Sequence, residues 1–102
     1  MLHAVTLTYL KQPDAIASHI DAHKQWLVRG FNEGKIVFAG PLSNHAGGYI
    51  LFQGDSVSEI QNYLQDDPFI MHNIVDAEII GIEPALCAQG FPAKWAEQAR
   101  FI

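Results

Sequence analysis

The chain is short of cysteine, of basic residues and of long apolar runs, and each shortage removes a class of protein. Cys87 is the only cysteine, so no intrachain disulfide can form and a secreted disulfide scaffold is excluded. Six Lys and Arg stand against eleven Asp and Glu, a net charge of −5. Nucleic acid and anionic membrane surfaces both demand a basic face, so neither is expected as a partner. No apolar run approaches the roughly 20 residues needed to cross a bilayer. The opening Met1-Leu2-His3-Ala4-Val5 alternates and has no cationic segment, unlike a signal peptide, and a cytoplasmic location is the expectation. There is no internal repeat and no low-complexity stretch. The pair Gly47-Gly48 precedes a strand with no helix after it, so it reads as a turn or hairpin and not as a phosphate cradle. No motif for a nucleotide, flavin, haem or pyridoxal phosphate is present, and no organic cofactor is expected.

What remains is one globular domain. With 102 residues, of which 49% are hydrophobic and 17% charged, the chain is long enough for one core and too short for two. Residues His3 to Tyr9 alternate, Val5, Leu7 and Tyr9 against Ala4, Thr6 and Thr8, as in a strand. Pro13 opens a helix in which Ile16, Ile20, Leu27 and Phe31 recur at helical spacing, opposite Asp14, Asp21, Gln25 and Asn32. Gly34 suits its stop. Ile36 to Ala39 and Tyr49 to Phe52 form two further strands around a loop. Ser56-Val57-Ser58-Glu59 is a capping box for a second helix with the stripe Val57, Ile60 and Leu64. A last strand covers about Asn73 to Ile82. The order β-α-β-β-α-β predicts an α+β, ferredoxin-like fold with a four-stranded antiparallel sheet over residues 1–83. Residues 84–102 form an extension, in which Pro92 with Trp95, Ala99 and Ile102 predicts a short helix docked on its own or a neighbouring subunit.

Two helices cover one face of such a sheet and leave the other to solvent, which requires alternation. Ile36 to Ala39 and Tyr49 to Phe52 are apolar at consecutive positions instead. A second copy packed sheet to sheet would bury the spare face, so a homodimer is expected, with further assembly left open. The alternative is a monomer whose tail folds over that face. The pocket is expected between helix and sheet or at the subunit seam.

Two positions carry the chemistry. His23 lies between Ile20 and Leu27, inside the apolar stripe of the first helix, where an apolar residue belongs. Asp67 precedes Pro68, which pushes it out of the α region at the exit of the second helix, and Phe69 can anchor that turn. Taken singly, each has a structural reading, a half-buried histidine and a turn-forming Asp-Pro. Together they could form a His–Asp dyad, with Asp66 as a rival to Asp67.

His23, Gly34, Ala39-Gly40-Pro41-Leu42 and Asp67-Pro68-Phe69 stand in an order and spacing that resembles the YciI-like (YCII-related) family, over the first eighty-odd residues. The resemblance implies a dimeric α/β barrel built on the ferredoxin-like fold, with an active site holding the pair that maps onto His23 and Asp67. Wider fold relatives include muconolactone isomerases and small cofactor-free monooxygenases. Many members carry an arginine three residues before the histidine, where this chain has Ile20. If that arginine binds an anion, a less charged substrate is expected here.

A carboxylate accepting the Nδ1 proton of an imidazole fixes its tautomer and leaves Nε2 as a general base. No nucleophile accompanies the pair: Ser43, Ser56 and Ser58 fall in a loop or cap, and Cys87 is distant. The expected function is a small cofactor-independent enzyme of lyase or isomerase type, moving a proton on a small apolar or aromatic-derived metabolite. Its expected contacts are His19, Trp26, Phe38, Pro41 and Phe69. A non-catalytic ligand-binding or accessory protein using the same pocket is the alternative. His19 and His23 are spaced i,i+4, with His45, His72 or Asp67 as a third ligand, but two histidines without HExxH or paired cysteines do not make a metal motif. No metal is expected.

Overall fold

The alternation of the first segment becomes the centre of the molecule. A computed structural model describes residues 1–102. Strand β1 (Leu2–Tyr9) leads into helix α1 (Pro13–Asn32), then β2 (Ile36–Pro41), β3 (Gly47–Gln53), α2 (Val57–Leu64), a four-residue helix α3 (Pro68–Met71) and β4 (Val75–Ile82). The sheet runs β2-β3-β1-β4 with every neighbouring pair antiparallel, the ferredoxin-like order. No helix is long and apolar enough to cross a membrane.

Local chemistry sets the element ends. Pro13 occupies the first turn of α1, where its missing N–H is no loss, with Asp14 near the positive end of the helix and Arg29 near the negative one. Gly34 adopts φ +74° just past the helix, a left-handed turn that favours glycine. Ser56 Oγ accepts from the Ser58 N–H at 3.2 Å, so the serine half of the capping box forms. Gly47 is required by close approach, because a Cβ there would lie 1.7 Å from the Leu7 carbonyl oxygen.

The register sorts the two faces. Val5 pairs with Ile50 and Ile79, Leu7 with Gly48 and Ala77, and this set faces the helices. Val5, Leu7, Ile50 and Phe52 join Trp26, Ile60, Leu64 and Phe69 in one core. Trp26 and Tyr63 close it from two helices by reciprocal bonds. The indole Nε1–H donates to the Tyr63 carbonyl at 3.1 Å, and the Tyr63 hydroxyl donates to the Trp26 carbonyl at 2.7 Å.

The tail departs from expectation. Instead of a helix to Ile102 it forms one 3-10 turn at Ala93–Trp95, and strands β5 (Leu86–Cys87) and β6 (Arg100–Phe101) pair in parallel. An isolated helix of that length is marginal, and the backbone finds partners elsewhere: Arg100 N–H donates to Ala85 and Ile102 N–H to Cys87. Lys94, Trp95 and Gln98 share a groove with Met1 and Gln53, and Ala96 is buried, so the tail folds against the sheet of its own chain. Phe38, Ile80 and Ile82 on the outer face stay exposed.

Burial pushes the Tyr63 phenol above its ordinary value of 10.0, with Glu33 adding to the rise. The folded state therefore holds that proton more tightly. Its contribution is complete below the unfolded phenol's value and is lost as pH rises through the folded one. Tyr63→Phe should cost about 1 kcal/mol at neutral pH through the lost hydrogen bond. Denaturant melts between pH 7 and 11 should also show the wild type losing stability above about pH 10 more steeply than the variant.

Candidate functional site

Helix α1 presents two different faces to the sheet, and His23 stands between them. At about 100° per residue, Trp26 and Gly30 fall on one side of His23, and Ile20, Leu27 and Phe31 on the other. The first side is buried in the core. The second lines a cavity of about 490 Å³ between α1 and the sheet. Three residues of the apolar stripe read from the sequence thus line a hollow, Ile20 and Leu27 also packing against the core with Ile16, while the fully buried positions are on the histidine–tryptophan side. Leu7, Tyr9, Pro41, Phe69 and the glycines at 40, 47 and 48 complete most of the wall.

Asp67 is positioned by the short helix after α2. Held extended at φ −70° and ψ 121° before Pro68, it is the N-cap of α3, and its Oδ1 accepts from the Phe69 N–H at 3.0 Å. The same Oδ1 lies 2.7 Å from His23 Nδ1. A carboxylate only accepts, so Nδ1 carries the hydrogen and donates it. Asp67 is fully buried, its Oδ2 has no hydrogen-bond partner, and it does not line the cavity. His23 does line it, and with Nδ1 committed, Nε2 is the nitrogen left for a ligand.

Aromatic rings fix the imidazole plane. Phe69 stacks on His23 with centroids 4.0 Å apart and planes at 11°, and Trp26 lies on at 5.8 Å and 28°. The only ion pair in the chain is His23–Asp67. No three histidine, cysteine, aspartate or glutamate side chains converge as metal ligands.

The structure brings His23, Asp67, Pro41 and Phe69 together and places the other expected contacts elsewhere. Trp26 is fully buried against Tyr63, because its side of α1 is the core side. Phe38 is on the outer face of the sheet, 52% exposed and stacked on Tyr49. His19 stacks on His72 at 4.2 Å and 17°, joining α1 to the end of α3 outside the cavity. Asp66 is exposed and unbonded to His23. Sequence reasoning missed Lys24, which lines the cavity beside His23; its signal was a cation on the same side of the helix as Ile20 and Phe31.

Asp67 serves both a helix cap and the imidazole, so Asp67→Ala should cost about 2 kcal/mol or more, the sum of a lost cap and a lost charge-assisted bond. Asp67→Asn keeps an acceptor oxygen for both donors and should cost less. Urea unfolding of the two variants measures the difference.

No curated protein matches the chain. Among solved structures, it is similar to the 5-chloro-2-hydroxyhydroquinone dehydrochlorinase of Burkholderia phenoliruptrix AC1100, seen in complex with 2,5-dihydroxybenzoquinone. The TM-score is 0.65 at 18% identity, covering 83% of this chain and 96% of that one. It is also similar to muconolactone isomerase, with a TM-score of 0.64 at 22% identity, over 80% of this chain and 88% of that one. At such identities the likeness is one of fold, the ferredoxin-like arrangement described above. The sequence model of the YCII-related domain matches residues 1–82, from the start of β1 to the end of β4 and across both His23 and Asp67, and the chain belongs to that family.

Proposed function

We propose that this protein is a small cofactor-independent enzyme that moves a proton on a ring-shaped metabolite, with His23 as the base and Asp67 as its positioning residue. The observation that carries the reading is the 2.7 Å bond from His23 Nδ1 to a buried Asp67, made by a histidine that lines a mostly apolar cavity. His23 Nε2 takes a proton from a carbon next to a ring carbonyl, and the electron pair passes into an enolate. Return of the proton at another carbon completes an isomerisation. Loss of chloride from the adjacent carbon completes an elimination, with the proton released to solvent. Asp67 stabilises the imidazolium between these steps, while the apolar wall limits competing water. A dehydrochlorinase and an isomerase among the similar structures support this reaction class.

Muconolactone and 5-chloro-2-hydroxyhydroquinone, incubated in deuterated water with purified protein, provide the assay. Mass spectrometry should record deuterium uptake or chloride loss. His23→Asn should lower that rate by about 10²-fold or more, within the usual range for a lost general base. Asp67→Asn should lower it too, since a neutral amide does not balance an imidazolium. Undiminished rates in both variants would reduce the cavity to a binding site without chemistry.

The working form is a homodimer joined through the outer faces of the sheets. Phe38 and Ile80 are 52% and 56% exposed there, solvent-facing apolar side chains on the two edge strands of one sheet face. Ile80→Asp should shift the mass measured by light scattering on a sizing column from two chains to one; an unchanged mass would place the interface elsewhere.

A further inference from the structure

A cavity this apolar holds one formal cation. Lys24 follows His23 in α1 and, one turn on from Ile20, falls on the cavity side of the helix. It lines the cavity, is exposed at its mouth, and has no carboxylate within ion-pair reach. No aspartate or glutamate lines the wall, and Asp67 sits behind the imidazole, already bonded to it. The chain as a whole carries −5, so its general field repels anions and only a local cation can favour one. The apolar Ile20 pointed to a weakly charged ligand, yet the charge is supplied one helical turn later.

We propose that Lys24 is the specificity-determining residue of the cavity, and that the ligand is a small planar ring bearing one anionic oxygen group, a carboxylate or an ionised phenol. The inference rests on the reading of the cavity as a site for small ring molecules and narrows it. Lys24 and His23 are consecutive and both reach the cavity, so an anionic group held by the ammonium leaves the ring carbons over the apolar wall, within range of Nε2. The same ammonium faces the negative charge that grows on the ring when the proton leaves. A lysine suits a mouth position because its flexible stem follows ligands of differing size, and its ammonium is a point charge with no demand for bidentate geometry.

Benzoate and benzamide test the assignment, because they are nearly isosteric planar rings that differ by one charge. Each is titrated by protein NMR into wild type, Lys24→Met and Lys24→Arg at low salt. The wild type should bind benzoate about fivefold or more tightly than benzamide, the scale of one partly screened ion pair. Lys24→Met should abolish that preference while leaving benzamide binding unchanged, and Lys24→Arg should keep it. Added salt should weaken only benzoate. Equal binding of the two rings by wild type, unmoved in Lys24→Met, overturns the role of Lys24 and leaves the ring-binding cavity standing. If neither ring shifts the resonances of Tyr9 or Phe69, the ring-binding reading falls, and the proposal with it.

Discussion

One hydrogen bond joins the parts of this molecule that chemistry would need. His23 and Asp67 are 44 residues apart, on α1 and at the head of α3, and their contact at 2.7 Å is the only ion pair in the chain. The carboxylate is fully buried, an expensive place for a charge unless it is bonded. It meets that cost by accepting twice at one oxygen, from a side chain and from a backbone N–H. Pro68, the cap of α3 and the stacked Phe69 all hold this oxygen and the imidazole in place. Two of these pieces, His23 and Phe69, are also part of the cavity wall.

Much of this was legible in the residues. Alternation marked β1, the capping serine marked α2, and Gly34 marked the end of α1. An imidazole inside an apolar stripe and a carboxylate fixed by a proline marked His23 and Asp67 as candidates, and the resemblance to the YCII-related family implied that they pair. Other features were not legible, for physical reasons. Apolar residues at helical spacing identify a stripe but not what it faces, so Ile20, Leu27 and Phe31 could not be told from core, nor Trp26 from a pocket contact. The helix α3 is a single turn of four residues, too short for any periodicity. In the tail, Pro92 and three apolar residues resemble a helix start, but pairing of β5 with β6 depends on a partner strand that no local pattern reveals.

The two faces of the sheet have different tasks. Toward the helices, side chains divide between a filled core around Trp26 and an open hollow beside His23. On the other face, the tail settles against the end of the sheet near Met1 and Gln53 and leaves Phe38, Ile80 and Ile82 bare. That division keeps the hollow independent of the tail, since no residue beyond Val75 contributes to its wall.

The flat stacking of Phe69 on the imidazole, at 4.0 Å, has a stereochemical consequence. A ring clamped between neighbours and tied at Nδ1 cannot turn over to present its other nitrogen. In an isomerisation, the hydrogen such a base delivers would come from the same atom that took one away, on the same side of the substrate. An isomerisation run on such a base would be suprafacial, and the handedness of its product would be written into the orientation of one phenylalanine.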